Sequence, residues 1–362
     1  MNFEIKKIRL NELEHFVQSE MFQQFTIVPI SDLRVKSYLN NPHSQPGDIV
    51  LYLGFVQNQL IAFRSFFAGV IQTENEQQRF AWCSGNWVHT DFRRKGFSER
   101  LLKEAFIDWN GKLMFTNYAP NSEKLYLKSG NFHVIHQFEG FRGYLFPKTR
   151  KLVPNANKNE FTKILYSAVD LGISVISLFR LWFFSPKQNP GIRFETIQFP
   201  DDACYKIIKN QSEKFLFNRE EEKFKWIFQF PWISNEEYLN AKNYPFSSFS
   251  KSFFYRTVKL FFKEEFIGFF IFSVREGHLK TLHFCLSNGY EKEIATYLKQ
   301  FCAKHKIEVL TVYKYELALQ LFTQKFPFLH AKKYGQKIYS SFEIRGIDKF
   351  LFQDGDGDVI FT

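Results

Sequence analysis

The sequence predicts an α/β protein of two modules built on one order of elements. Three observations carry this. The 362 residues exceed one ordinary domain of roughly 100 to 200 residues. Hydrophobic residues make up 45% and charged residues 23% of the chain, the balance of a globular protein and not of a disordered one. Runs of strand period and of helix period alternate along the first half, and the second half repeats their order.

In the first half, an apolar alternation through Ile5 and Ile8 reads as a strand, and Asn11 to Glu20 as a helix with Asn11 at its start. Strands are expected at Ile49 to Val56 and Leu60 to Val70, hinged at Gln57-Asn58 as a two-residue hairpin turn, and at Phe80 to His89. Phe97, Leu101, Leu102, Ala105, Phe106 and Trp109 recur at helical spacing, which predicts an amphipathic helix over Ser98 to Asn110. A short strand at Leu113 to Tyr118 follows, then a helix from Asn121 to Ser129 ended by Gly130. Strands through Phe132 to Phe146 are expected to close the module, placing the first domain at 1–150.

Pro and Asn concentrate at Pro154 to Asn159 and at Pro186 to Pro190, which read as linkers around residues 151–192. Between them lies an apolar helix with a polar stripe of Lys163, Ser167, Asp170, Ser174 and Ser177 at steps of three and four. Ile164 to Phe184 has the length of a membrane span, but Asp170 would cost about 2.5 to 3.5 kcal/mol near a bilayer centre. Packing between the modules is the expectation, with a membrane surface as the alternative.

The second half, 193–362, starts with a strand at Arg193 to Phe199, helices at Ala203 to Asn210 and Glu220 to Phe230, and strands at Phe254 to Phe262, Phe266 to Val274 and Leu279 to Leu286. A helix from Tyr290 to His305, a strand at Glu308 to Val312 and a helix from Tyr315 to Phe322 complete the repeat.

Composition narrows the function. The net charge is +11, spread as +4 over residues 1–150, +3 over 151–192 and +4 over 193–362. No basic run is interleaved with stacking aromatics, so no nucleic-acid partner is expected. The 47 Phe are read as core filling where Leu otherwise serves. Four dispersed cysteines, Cys83, Cys204, Cys285 and Cys302, make no disulfide framework, and the N-terminus has no secretory pattern, so a cytoplasmic protein with reduced thiols is expected. No metal is expected: Asp354-Gly355-Asp356-Gly357-Asp358 lacks the Gly and Glu of a calcium loop and reads as a polar terminal turn.

One stretch carries chemistry. Val88-His89-Thr90-Asp91-Phe92-Arg93-Arg94-Lys95-Gly96-Phe97-Ser98 joins a strand to a helix through a basic turn. Backbone N–H groups at a helix start point outward unsatisfied, Gly96 permits close approach, Ser98 is small, and Arg93, Arg94 and Lys95 add positive charge. Such a turn accepts a pyrophosphate.

These residues resemble motif A of the GNAT superfamily of acyl-CoA N-acyltransferases, Gln/Arg-x-x-Gly-x-Gly/Ala, with Arg93 and Gly96 matching and Ser98 and Thr90 departing. Ala119 to Phe132 resembles the same family's segment in which an Asn precedes a Tyr and a Gly, with Asn121 and Tyr126 in place and Asn131 interrupting the usual Gly-Phe pair. The resemblance implies two GNAT-like modules, each a mixed, mostly antiparallel sheet flanked by helices. It implies acetyl-CoA, or another acyl-CoA, as cosubstrate, held by Arg93, Arg94, Lys95, Gly96, Phe97, Ser98 and Asn121 and by backbone at Trp87, Val88 and His89. Tyr126 becomes the candidate general acid for the departing thiolate, against a plain packing role, and no general base is assigned. The acceptor would be a primary amine on a small molecule, sugar or amino acid, attacked directly. The second half has one Gly and no basic cluster after Leu282 to Gly289, so it reads as a degenerate copy shaping the acceptor site. Two other readings stay open: a CoA-sensing or partner-binding protein without turnover, and a peripheral membrane transferase acting on cell-envelope precursors.

Overall fold

The computed structural model describes residues 2–73, 76–117, 120–153, 159–187, 189–236, 243–358 and 361, without the side chains of 120–122, 151 and 212. The first half runs β1 (Glu4–Arg9), α1 (Leu10–Gln18), α2 (Glu20–Gln23), α3 (Asp32–Leu39), β2 (Ile49–Val56), β3 (Gln59–Gln72), β4 (Gln77–Val88), α4 (Phe97–Asp108), β5 (Leu113–Thr116), α5 (Pro120–Lys128) and β6 (His133–Tyr144). Then come α6 (Thr149–Leu152) and α7 (Glu160–Trp182), and the repeat β7 (Ile192–Ile197), α8 (Asp202–Gln211), α9 (Glu221–Gln229), β8 (Phe253–Phe262), β9 (Glu265–Arg275), β10 (His278–Leu286), α10 (Glu291–Lys304), β11 (Val309–Val312), α11 (Tyr315–Thr323) and β12 (His330–Ser340).

Local chemistry explains the registers. Gln57-Asn58, Lys263-Glu264 and Glu276-Gly277 all hold positive φ, the conformation of two-residue hairpin turns that match strand twist. They join β2 to β3, β8 to β9 and β9 to β10 as antiparallel pairs.

The chain divides into two units. The first holds Met1–Gln137, Ile208–Lys251 and Gln336–Thr362, the second Phe138–Ile207 and Ser252–Gly335. Strands run β1-β2-β3-β4-β5 and then β12 from Gln336 onward in the first, and β6 from Phe138 onward, then β11-β10-β9-β8-β7, in the second. The expected blocks 1–150, 151–192 and 193–362 are therefore corrected, because each unit takes its last strand from the other half of the sequence. Ile338, Tyr339 and Ser340 pair with Thr116, Phe115 and Met114 of β5, while Phe141 to Tyr144 of β6 pair with Val312 to Val309 of β11. Packing accounts for the exchange. Tyr339 stacks on Phe115 at 4.5 Å in the first core, and Phe141, Leu145 and Phe146 join the second core with Phe270, Leu298 and Phe328.

The two units share one irregularity. Ser65 pairs with Gly85 and Phe66 with Cys83, so Ser84 is an extra residue in β4; Thr281 pairs with Phe272 and His283 with Ile271, so Leu282 is extra in β10. Such bulges bend a strand and end its regular pairing. Parallel pairing of β4 with β5 stops at Trp82, and of β10 with β11 at Lys280. Beyond those points the neighbouring strands part.

Asp354 to Asp358 is the expected polar turn, and it is buried: Asp356 pairs with Arg219 at 2.6 Å, both fully enclosed, and accepts the Gln353 N–H. One further expectation changes. The apolar side of α7 does not pack between modules; it is exposed. The Pro154 to Asn159 linker lies outside the described residues up to 158.

Candidate functional site

The gap beside β4 leads to the start of α4. Gly96 stands there at φ +80° with no side chain capping the helix, so the N–H groups of Phe97, Ser98 and Glu99 have no intrahelical acceptor. A Cβ on Gly96 would meet no atom within 4 Å, which leaves open space above the helix end. Arg94 also has positive φ, and Arg93, Arg94 and Lys95 are exposed. Arg93 Nε bonds to Val88 O at 3.2 Å, and the Lys95 ammonium lies 5.1 Å from the Phe92 ring.

Pairing decides which backbone faces the gap. His89 N–H donates to Ile61 O at 2.8 Å, and Trp87 pairs with Phe63, so by antiparallel alternation the main chains of Trp87 and His89 are engaged with β3. Val88 and Asn86 turn theirs to the open side. Trp87 stacks on Phe63 at 5.5 Å, and the His89 ring sits against Phe92.

Behind the loop lies a buried network centred on Arg64, which sequence reasoning missed. Its one signal was a lone arginine inside an otherwise apolar strand. Arg64 is 0% exposed; Nε donates to Ser98 O at 3.0 Å, Nη2 to Ser98 Oγ at 3.0 Å and Nη1 to the Tyr126 hydroxyl at 2.9 Å. Ser98 Oγ in turn donates to Asn86 Oδ1 at 2.6 Å. Ser98 thus turns inward, and its departure from Gly or Ala joins α4 to β3 and β4. Among the described residues no carboxylate pairs with Arg64.

Tyr126 is 4% exposed and stacks on Phe115 at 4.1 Å. Burial pushes its hydroxyl above the ordinary value, with Arg64 pulling partly back, and burial pushes the neighbouring Cys83 thiol up to about 11. Both stay protonated at neutral pH. Arg64 donates to the Tyr126 oxygen, and the Tyr126 hydroxyl in turn hydrogen-bonds the Cys83 sulfur. Asn121 begins the same helix, but its side chain lies outside the described atoms. Between α4 and α5 runs a cleft of about 480 Å³ lined by Leu102, Phe106 and Leu125, with Glu99 and Lys128 at its edge.

On the opposite face of the β4 bulge, Arg34 donates to Ser84 Oγ and lies 4.2 Å from the Trp232 ring and 5.6 Å from that of Tyr244. It too is buried.

The second unit repeats the layout without the chemistry. Gly289 N–H donates to Glu291 Oε2 at 2.9 Å, and Glu291 and Glu293 occupy the first turn of α10, so carboxylates stand where an anion would bind.

The fold has counterparts among solved structures. It aligns over 97% of this chain and 75% of the other, at TM-score 0.51 and 11% identity, with a conserved protein of unknown function from Enterococcus faecalis V583 named "Probable N-Acyltransferase". A GCN5-related N-acetyltransferase from Anabaena variabilis ATCC 29413 aligns over 94% of this chain and 72% of that one, at TM-score 0.48 and 11% identity. A tandem GNAT protein from the clavulanic acid biosynthesis pathway aligns over 94% and 99%, at TM-score 0.49 and 10% identity. No family profile and no curated protein matches the sequence. At this identity the likeness to the Enterococcus faecalis protein speaks for the fold alone.

Proposed function

We propose that this tandem GNAT-type protein is an acyl-CoA-dependent N-acyltransferase with one active unit, the first. The observation that carries the reading is the uncapped, basic start of α4 with open space over Gly96, opening beside the β4–β5 gap. These residues fit acyl-CoA. Arg93, Arg94 and Lys95 and the N–H groups of Phe97 and Ser98 would hold its pyrophosphate. The outward main chain of Asn86 and the Val88 N–H would take the pantetheine amides, with Arg93 on the Val88 carbonyl and Trp87 and His89 framing that strand, and the cleft between α4 and α5 gives the rest room. Asn121 is placed with this set by its position alone.

Bound acyl-CoA supplies an activated acyl group. The chain's part is to place an amine against it and to return a proton to the sulfur. Arg64 fixes the Tyr126 oxygen, burial keeps the phenol protonated, and Tyr126 gives its proton to the departing sulfur. Trp232 and Tyr244 lie with Arg34 on the other face of β4 and are assigned to the amine acceptor. Release of CoA thiol from acetyl-CoA, followed over amino sugars, amino acids and polyamines, tests the reading. Turnover with any of them supports it; tight acetyl-CoA binding without turnover would favour a sensor, and no binding would remove the site.

A further inference from the structure

Helix α7 is built inside out. Toward its own unit it turns polar groups. Asp170, 8% exposed, accepts the Thr149 N–H and hydroxyl at 2.6 Å each and Arg150 Nε at 3.3 Å. Burial raises the Asp170 carboxyl, but these hydrogen bonds outweigh it and leave it below its ordinary value. Ser177, 0% exposed, donates to Leu145 O at 2.5 Å, and Arg180 donates to Pro327 O at 3.0 Å and Phe328 O at 3.1 Å. Away from the unit, eleven large apolar side chains between Phe161 and Phe183 are exposed, from Phe161 at 75% to Trp182 at 80%. At about 100° per residue, Phe161, Ile164, Leu171, Val175, Phe179 and Trp182 fall within an arc of roughly 80°. Only 11% of the apolar window is buried. A water-facing helix places these two sides the other way round.

Charge identifies what covers this face. Counted by unit, the second holds 23 Lys and Arg against 13 Asp and Glu, a net +10, and the first 25 against 24, a net +1. The even spread along the sequence disappears once the chain is folded. Nearly all the excess belongs to the unit that carries α7; Lys187 and Lys325 are exposed on segments adjoining the helix, as are Lys148 and Arg150 and, on α7 itself, Lys163, which also pair with Glu308, Asp170 and Glu160. A second copy meeting this face would bring two such units together against their charge. A spanning arrangement would have to break the bonds of Asp170, Ser177 and Arg180, made along the helix to residues of its own unit, and carry both charges into hydrocarbon. An anionic bilayer surface satisfies both sides: apolar residues enter the headgroup–acyl boundary, Trp182 sits at the interface, and the cations meet lipid phosphates.

We propose that α7 lies in the surface of an anionic lipid bilayer, holding the protein there as a peripheral, non-spanning protein. This does not depend on the acyltransferase reading.

Purified full-length protein is sedimented with vesicles of phosphatidylcholine alone and of equimolar phosphatidylcholine and phosphatidylglycerol. Binding to the mixed vesicles should weaken about tenfold or more in high salt. The exposed pair Phe179→Asp/Trp182→Asp should lower partitioning about 100-fold or more, with circular dichroism unchanged. A milder second variant, Leu171→Gln, should lower it by a smaller factor. Absence of binding to both vesicles overturns the proposal, as does equal binding by wild type and both variants. Equal, salt-independent binding to both vesicle types overturns the anionic surface. Resistance to alkaline carbonate extraction would show a span and overturn it. A lipid-free dimer broken by the same substitutions, without vesicle binding, assigns the face to a second copy and overturns it as well.

Discussion

Tyr126→Phe separates chemistry from packing, because the substitution removes one hydroxyl and leaves the ring on Phe115 at 4.1 Å. The hydroxyl accepts from Arg64 Nη1 at 2.9 Å, and Arg64 is fully enclosed. A buried, charged donor that loses its acceptor costs about 1.5 to 3 kcal/mol. For a domain of this size that is a fall in melting temperature of roughly 3 to 12 °C. Stability therefore falls whether or not Tyr126 is catalytic, and the deciding measurement is kinetic. If Tyr126 protonates the departing sulfur, turnover should fall about 10- to 100-fold, the low end for a general acid because a thiolate leaves readily. The dissociation constant for acetyl-CoA should hardly change, since it rests on the α4 start and β4 backbone. In an Arg64→Met background the same change should cost less, as expected for coupled partners. Stopped-flow thiol release, calorimetric binding and thermal melts read these three quantities. Unchanged turnover beside a lowered melting temperature would refute the acid role and leave Tyr126 as a buried packing residue.

Gly96→Glu should abolish acetyl-CoA binding by calorimetry while costing only about 1 to 2 kcal/mol of stability for the left-handed backbone; retained binding would contradict the loop assignment. Equilibrium binding should saturate at one acetyl-CoA per chain, since Glu291 already occupies the Gly289 N–H; two would contradict it. Burial pushes His43 down to about 3, with Lys223 and Arg79 adding to it, and His136 down to about 4. Below the ordinary value of about 6.5 the unfolded chain takes protons that the folded one refuses, so stability should fall with pH by up to about 1.4 kcal/mol per unit for each histidine. Denaturant unfolding from neutral pH toward 4 measures the slope, and His43→Leu should flatten it. A chain ending at residue 192 should not fold cooperatively, because it lacks the Trp226 and Trp232 bonds to Ser37 and β12 beside β5; a sharp thermal transition would show those parts to be dispensable.

Much of the fold could be read from period and punctuation, since each hairpin and both copies of the element order follow local rules. The element α3 was missed although Ser31 caps it through the Arg34 N–H, a signal that Asp32 and the short length obscured. The missed β12, with Lys332, Lys333, Gln336 and Lys337 along it, has too little apolar alternation to announce a strand. The exchange of β6 and β12 was not readable at all, because pairing partners are chosen by long-range packing such as Tyr339 on Phe115 and Phe141 beside Phe328. At the site, the loop was visible because helix-start chemistry is contiguous in sequence. Arg64, Asn86 and Arg34 were not, because a buried cation is defined by what surrounds it, and those surroundings come from distant segments.

The contrast between the two units supports assigning the proposed anion site to one of them. At the start of α10, Glu291 and Glu293 face the positive end of the helix dipole and one of them takes the Gly289 N–H, so that end is satisfied without a ligand. At the start of α4 the only first-turn acid, Glu99, is paired with Lys128 at 3.1 Å. Among the described residues no side chain caps the helix and no carboxylate pairs with the buried Arg64, and Arg94 and Gly96 hold left-handed backbone. The unsatisfied N–H groups at that helix start are what negative charge would relieve. The second copy cannot be dispensed with even so. Gln336 to Ser340 covers the β5 edge of the first unit, which would otherwise present unpaired backbone, and Arg219 with Asp356 ties two late segments into that unit. Each half of the sequence supplies paired residues to the unit otherwise built from the other half, whether or not it carries a binding loop.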